Sequence, residues 1–290
     1  MDRDVVLIVN PTAGGGRALR VLPEVEAALR EERVNFTVEH TRSLEHAQEL
    51  AAAAGRTGAI AAALGGDGIV GAVAGALRNT EGVLGVLPGG RGNDFARSLD
   101  IPRDMAAAAR VLAHGRERAI DLGEVDGRAF VGIASCGFDS DANRIANETR
   151  VPGSVAYLYA ALRALASWKP ARFELELDGV RTSHVGFNVA VANGTQYGGG
   201  MVIAPGAELD DGRFDVITVA GVSKLRFVSQ LPKVFKGTHV ANEEVEVRHA
   251  REVRIAADRP FALYADGDPI AELPATVRTL PAAVRVLVPR

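Results

Sequence analysis

Three short segments combine glycine with residues able to hold an anion or a cation. Asn10-Pro11-Thr12-Ala13-Gly14-Gly15-Gly16 comes first, Leu64-Gly65-Gly66-Asp67-Gly68 second, and Pro88-Gly89-Gly90-Arg91-Gly92-Asn93-Asp94-Phe95 third. Successive glycines let a backbone approach a ligand closely and aim N–H groups at an anion beside a helix N-terminus. A carboxylate among such donors, as at Asp67 and Asp94, suits a divalent cation already bound to phosphate. The first segment lacks the Gly-Lys-Ser/Thr ending of a P-loop, and it does not carry the dinucleotide fingerprint Gly-x-Gly-x-x-Gly with its distant acid. Alone it reads equally well as a tight turn. The three together contribute nothing to packing, which points to a shared ligand. Two further acidic segments are weaker: Asp266-Gly267-Asp268 has the form of a hairpin turn, and Glu208-Leu209-Asp210-Asp211-Gly212 offers oxygen ligands but also suits a solvated turn.

The elements around these segments place them at one edge of a sheet. Between Val5 and Leu99 short apolar strands (5–9, 36–39, 59–64, 83–87) alternate with helical patterns (18–33, 44–54, 70–77). That rhythm predicts a parallel sheet covered by helices, whose ligand-binding loops gather at the carboxyl ends of its strands. After a helix over 105–114 the character changes. Segments 119–125, 129–133, 173–177, 185–191, 214–219 and 245–255 read as strands, with hairpin turns at Asp126-Gly127 and Asp178-Gly179. The fold class expected is therefore α/β plus β: a three-layer α/β domain over residues 1–120 followed by an antiparallel β-sandwich over 121–290, its last strand able to pack back on the first domain. No linker-like run separates the two.

A chain of 290 residues suits two such domains. Its formal net charge of -3 provides no basic field, which argues against nucleic acid as the partner. Residues 1–10 carry charge at Asp2, Arg3 and Asp4 and then only a short apolar run, so no secretion signal is read there. No apolar stretch approaches the roughly 20 residues that span a bilayer. The single cysteine, Cys136, excludes an intrachain disulfide, reads as structural and fits a cytoplasmic location. The six histidines show no metal spacing, and neither they nor Trp168 are assigned a role.

The order of Asn-Pro-x-x-Gly, Gly-Gly-Asp-Gly and Asn-Asp-Phe-Ala-Arg resembles the diacylglycerol-kinase catalytic domain family, which includes bacterial soluble lipid kinases and the sphingosine and ceramide kinases. The resemblance continues through Ser135-Cys136-Gly137-Phe138-Asp139, Asn193-Gly194 with Gly198-Gly199-Gly200, Ala204-Pro205, Asp210-Asp211-Gly212 with Asp215, and Ala265-Asp266-Gly267-Asp268-Pro269. It implies a kinase transferring the ATP γ-phosphate to the hydroxyl of diacylglycerol or a related lipid. It implies ATP contacts from Asn10, Pro11, Thr12, Ala13 and Gly14, from Thr41, and from Gly65, Gly66, Asp67, Gly68, Ile69 and Gly71. Arg91, Asn93 and Asp94 complete that set, with Asp67 and Asp94 near the catalytic Mg²⁺. It implies a structural Mg²⁺ on the Glu208, Asp211 and Arg213 loop, and a general base at Asp268. A homodimer and transient contact with the inner face of the membrane follow from the same resemblance.

The chain departs from the family pattern at several places. Ile69, Gly71 and Ala72 stand where Thr, Asn and Glu are usual, Arg91 where Thr is usual, Gly132 where Asn is usual, and Asp268 where Glu is usual. Arg91 could offer its guanidinium to phosphate oxygens or fill the nucleotide pocket. These departures keep a catalytically silent lipid- or nucleotide-binding protein as one alternative, and the shared Gly-Gly-Asp-Gly loop keeps an NAD kinase as another. Over 223–239, Phe227, Val228, Leu231, Val234 and Phe235 recur at helical spacing beside Lys224, Arg226, Lys233 and Lys236. This helix could lie on anionic headgroups, or it could be an amphipathic helix packed on the sandwich and kinked near Pro232.

Overall fold

The computed structural model describes residues 3–149 and 155–290; Met1 and Asp2 of the charged N-terminal segment lie outside them. Two compact units are present. One extends to Leu122 and takes in Ala129–Val131 and Pro281–Arg290; the other comprises Gly123–Arg128 and Gly132–Leu280.

In the first unit, β1 (Val5–Val9), α1 (Ala13–Glu31), β2 (Phe36–His40), α2 (Leu44–Thr57), β3 (Ile60–Gly65), α3 (Asp67–Leu77) and β4 (Val83–Pro88) alternate, followed by α4 (Asp94–Ser98), α5 (Met105–His114) and β5 (Arg116–Val125). The strands are parallel in the order β2-β1-β3-β4, and Arg285 and Val286 of the C-terminal strand add beside Val83 and Leu84. β3 and β4 are buried along their whole lengths, which is why their sequences are uniformly apolar rather than alternating. Small side chains do the covering: Ala47 and Ala51 of α2 are fully buried. Capping fixes the helix starts, with Ser43 Oγ accepting the His46 N–H and Asp104 Oδ1 accepting the Ala107 N–H. Asp121, buried in β5, accepts the Ala282 N–H at 2.7 Å and ties the C-terminal strand into this unit.

The second unit is antiparallel. After β6 (Arg128–Phe130) come β7 (Ile133–Gly137), α6 (Phe138–Glu148), α7 (Val155–Ser167), β8 (Ala171–Leu177), β9 (Val180–Ala192), β10 (Gln196–Tyr197), β11 (Met201–Val202) and β12 (Phe214–Ala220). Then follow α8 (Lys224–Val234), a 3₁₀ turn (Thr238–Ala241), β13 (Val245–Ala250), β14 (Glu252–Ala257), β15 (Ala262–Ala265), β16 (Asp268–Glu272) and β17 (Ala275–Val288). The order β16-β15-β7-β9-β8-β14-β17 is completed by β12, which pairs with β9 and β13. β9 changes partners at Gly186, where a Cβ would collide with the Val219 carbonyl and the His184 ring. The expected α/β unit and antiparallel β unit are both observed.

Local differences from the sequence reading have physical causes. The segment 245–255 is two strands, because the Asp178 carboxylate takes the N–H groups of Arg251 and Glu252 and breaks the run there. The segment 129–133 divides between β6 and β7. Helices α6 and α7 had no sequence expectation. Pro232 lies inside α8, which ends two residues later.

Candidate functional site

The register of the first unit brings the carboxyl ends of its strands together. Val9 lies opposite both His40 and Leu64, and Leu64 opposite Leu87, so Asn10, Thr41, Gly66 and Gly89 leave the sheet side by side. Backbone bonds fasten them: Asn10 N–H to Leu64 O, Thr41 N–H to Val9 O and Gly89 N–H to Gly65 O, at 3.1, 2.9 and 2.9 Å. Asn10 Oδ1 accepts both the N–H and the hydroxyl of Thr12, closing the first loop into an Asx turn. Gly14, Gly15 and Gly16 then adopt φ of 58°, 65° and 82°, a left-handed turn only glycine enters cheaply. At Gly14 there is a second constraint, since a Cβ would lie 2.7 Å from the Gly89 carbonyl.

The third loop presses as closely on the second. A Cβ on Gly90 would collide with Gly66 Cα, while the Gly90 N–H donates to Asn93 Oδ1 at 2.7 Å and Asn93, at φ 56°, returns a bond to the Gly90 carbonyl. Asp67 opens α3, and its carboxylate accepts the N–H groups of Asp94 and Phe95 at the start of α4, at 3.1 and 2.9 Å. Asp94 is buried and paired with Arg97 through Oδ1 at 2.6 Å. Both acids turn an Oδ2 toward Gly92, where a Cβ would sit 2.9 Å from that of Asp94 and 3.2 Å from that of Asp67. Burial and then the neighbouring Asp94 charge push the Asp67 carboxyl up to about 6. Mg²⁺ is commonly held by one or two carboxylates, with phosphates and water completing its shell, so this pair fits that ion with a nucleotide.

The expected nucleotide residues do not all line these loops. Ile69 and Gly71 are buried within α3, and the Ile69 side chain supports Gly65 from beneath, so neither presents a side chain to a ligand. Ala72, another departure from the family pattern, is buried in the same helix. Arg91 is exposed and does not fill the loop cluster.

In the second unit, Asp266 and Gly267 form the β15–β16 turn with φ of 52° and 92°, and Asp268 begins β16. Asp266 Oδ1 accepts the Gly132 N–H at 2.9 Å, and a Cβ at Gly132 would lie 2.7 Å from that oxygen. Glycine at 132 therefore makes room for this carboxylate. Asp268 is exposed as a residue, yet surrounding atoms desolvate its carboxyl and raise its pKa, against the opposing charge of Arg128.

The loop expected to hold a structural Mg²⁺ is differently engaged. The Asp211 oxygens accept the Arg213 N–H and Nε–H at 3.1 and 2.8 Å, and Glu208 is exposed. The ligands expected there are the Asp211 carboxylate and backbone carbonyls of its neighbours, and in this structure the Asp211 carboxylate is engaged by Arg213.

An apolar pocket in the second unit had no residue-level sequence expectation. Phe138, Met201, Ile217, Phe227 and Leu231 line it, together with the polar groups Asp139, Asn188 and His239. Beside it, Trp168, Phe138, Phe187 and Phe227 form an aromatic cluster, the last two stacked at 4.4 Å between centroids. Burial pushes the Asp139 carboxyl up to about 6, against hydrogen bonds from Asn188, Tyr197 and Ser135. The one signal available in sequence was Asn188, a lone amide inside the otherwise apolar run Phe187 to Ala192. Cys136 is buried beneath, its thiol pushed up by burial and inert as expected.

A parallel α/β unit with three converging glycine loops is thus followed by an antiparallel β unit. Residues 4–125 match the model of the diacylglycerol kinase catalytic domain, and residues 132–288 that of the YegS C-terminal NAD kinase beta sandwich-like domain. The diacylglycerol kinase of Mycobacterium tuberculosis (strain CDC 1551 / Oshkosh) is 34% identical over 99% of this chain and 95% of its own length. A probable lipid kinase YegS-like protein of Pseudomonas fluorescens is 35% identical over 99% and 96%. A solved structure of a diacylglycerol kinase from Bacillus anthracis superposes with a TM-score of 0.73 at 20% identity, covering 99% of this chain and 97% of that one, and shares the fold. The chain belongs to the family of diacylglycerol kinases and YegS-like lipid kinases.

Proposed function

We propose that this protein transfers the γ-phosphate of ATP to the hydroxyl of a lipid alcohol, giving phosphatidic acid where that lipid is diacylglycerol. The observation that carries this reading is the approach of Asp67 and Asp94 to one another inside three backbone-locked glycine loops. Backbone N–H groups of the first and third loops would hold the phosphates, and Asp67 and Asp94 would hold Mg²⁺, which supplies charge neutralisation on the transferring group. The lipid oxygen bonds to the γ-phosphorus, the bond from that phosphorus to the bridging oxygen of ADP breaks, and Asp268 accepts the hydroxyl proton. A carboxyl whose pKa lies above the ordinary range is the stronger base for that step. The exposed Arg91 and the Asp266–Gly132 fit favour an active enzyme over a silent one, because neither departure closes the loops.

The apolar pocket of the second unit suits the lipid's chains, and α8 suits membrane contact. Its Phe227, Leu231 and Val234 line the pocket, while Leu225, Val228 and Phe235 are exposed beside Lys224 and Lys236. No helix among the described residues is long and apolar enough to cross a membrane, so contact from the cytoplasmic side would be peripheral.

The test is transfer of labelled γ-phosphate with Mg²⁺ to a panel of hydroxylated lipids in mixed micelles, with NAD as a control acceptor. Labelling of a lipid that vanishes in Asp268→Asn supports the reading. Lipid binding without any transfer would replace it with the silent alternative, and labelling of NAD alone with the NAD kinase.

A further inference from the structure

Asp268 stands on a part of the sheet with few bonds to hold it. β16 ends the strand order and, among the described residues, pairs with β15 alone; its second residue is Pro269, which has no N–H to give to a ladder. Asp268 pairs with Ala265 across the two-residue turn Asp266-Gly267, both of whose φ values are positive. It is therefore the first residue after the turn, and one methylene separates its backbone from its carboxyl. A side chain that short cannot make up for a displaced backbone, so whatever fixes the turn fixes the carboxyl.

The turn is fastened at residue 266. Asp266 Oδ1 accepts the Gly132 N–H at 2.9 Å, and the Asp266 N–H donates to the Ile133 carbonyl at 3.3 Å. Gly132 is itself held, its carbonyl accepting the N–H groups of Asn193 and Gly194 at 2.9 and 3.1 Å. Apart from its chain neighbours, the only atoms within 4 Å of the place a Gly132 Cβ would take are Asp266 Oδ1 at 2.7 Å and Asp266 Cγ at 3.8 Å. Gly132 has no positive φ either, so among the described residues only this carboxylate requires glycine there. Beyond the base, Arg128 Nη1 donates to the carbonyls of Pro269 and Ile270 at 3.4 and 3.1 Å, but from an exposed position where water competes.

We propose that Asp266 is a positioning residue for Asp268, acting through the turn between them, and that glycine at 132 is the seat its carboxylate needs. This deepens the lipid-kinase reading and rests on it for Asp268 as the base. Without the Asp266 carboxylate the turn can shift at the sheet edge, and the Asp268 carboxyl shifts with it. A displacement of about 1 Å there costs on the order of 100-fold in rate. The glycine loops that would hold ATP belong to the first unit, so the loss falls on kcat and leaves KM for ATP unchanged.

The experiment measures kcat and KM for transfer of labelled γ-phosphate, using whichever of diacylglycerol, ceramide, phosphatidylglycerol and a polyprenol in mixed micelles the intact protein labels most. Asp266→Gly removes the carboxylate and still enters a positive φ without strain, so the turn backbone is not itself disturbed. It is expected to lower kcat by about 10- to 100-fold with KM for ATP unchanged. Asp266→Asn retains Oδ1 as an acceptor and tolerates that φ, so it should stay within about threefold of the parent. Gly132→Ala displaces the carboxylate from the opposite side and should match Asp266→Gly, while the two together should cost no more than Asp266→Gly alone. Either single variant decides the matter in a folded protein. The further comparison is made in Asp268→Asn: with the base absent, Asp266→Gly should cost nothing more, whereas a contact that only stabilises the fold would cost the same again. An undiminished kcat in both Asp266→Gly and Gly132→Ala, or an equal loss with and without Asp268, overturns the positioning role and leaves the kinase reading standing. Absence of transfer by the intact protein, or transfer undiminished in Asp268→Asn, removes that reading and this proposal with it.

Discussion

The carboxylate of Asp67 accepts the N–H groups of both Asp94 and Phe95, so the residue that opens α3 also caps α4, 27 positions further along the chain. One side chain thus locks the second glycine loop to the third and holds two acids close enough to repel each other. Burial, and after it that repulsion, push its carboxyl up to about 6 from 3.8. Because the folded chain holds this proton more tightly than the unfolded chain, stability falls as pH rises from about 4 to about 6 and is level above that. The loss amounts to on the order of 2 kcal/mol after solvent screening.

Asp67→Asn should remove that loss. The amide keeps one acceptor for α4 and gives up the other, at about 1 kcal/mol. Thermal melts should find the variant about 1 kcal/mol more stable than the parent at pH 7.5 and no more stable at pH 4, while phosphoryl transfer falls at least 100-fold. An Asn variant destabilised equally at both pH values would mean that the carboxylate is not strained.

Glycines of the loop cluster should respond according to what surrounds them. Gly90 has the Gly66 backbone where a Cβ would go, and neither chain can yield without separating the loops. Gly15 has open space around it and pays only for its left-handed φ of 65°. Gly15→Ala is expected to cost about 1 kcal/mol in chemical denaturation with ATP binding retained. Gly90→Ala should abolish ATP binding measured by calorimetry, even in protein that remains folded by circular dichroism.

How much of this was legible beforehand depended on whether the cause was local. β3 and β4 could be read because strands buried on both faces are continuously apolar, and the loops because three glycine segments taken together contribute nothing to packing. Asp178-Gly179 was legible as a hairpin for the same reason. The lock between Asp266 and Gly132 was not, since it joins residues 134 positions apart. Nor was α6, whose Asp139, Ser140, Asp141 and Asn143 look like a solvated loop; its buried Asp139 and Ser140 are matched by Asn188 and by the Ala262 carbonyl on other strands. The family resemblance implied nucleotide contacts at Ile69 and Gly71 by their position along the chain, which does not carry the burial of both residues within α3.

The outward face of α8 separates membrane contact from folding. Leu225 is 86% exposed and contributes almost nothing to the core, so Leu225→Glu should leave stability within about 0.5 kcal/mol. Phe227 and Leu231, on the other face, line the pocket and are untouched. Co-sedimentation with phosphatidylglycerol vesicles should weaken several-fold in the variant, while transfer to a short-chain, monomeric lipid stays at the parent rate. Unchanged vesicle binding would assign membrane contact to another surface.

Asp268 is the shortest side chain able to act as a base at its position, and its location at the first residue of β16 fixes where its carboxyl begins. Desolvation holds its pKa above the ordinary carboxylate value, with Arg128 pulling the other way. Activity should therefore fall as pH drops through that raised value, and Arg128→Ala should move the acidic limb of the kcat/KM profile to higher pH by removing the opposing charge. Asp268→Asn should reduce kcat by 100-fold or more with ATP affinity unchanged. Asp268→Glu tests whether the backbone is set for the shorter acid: loss of about tenfold or more would show that the extra methylene overshoots, and a rate equal to the parent's would show that the carboxyl has latitude. An acidic limb that stays in place in Arg128→Ala, together with a normal rate in Asp268→Asn, would remove Asp268 from the chemistry and leave it as a turn residue.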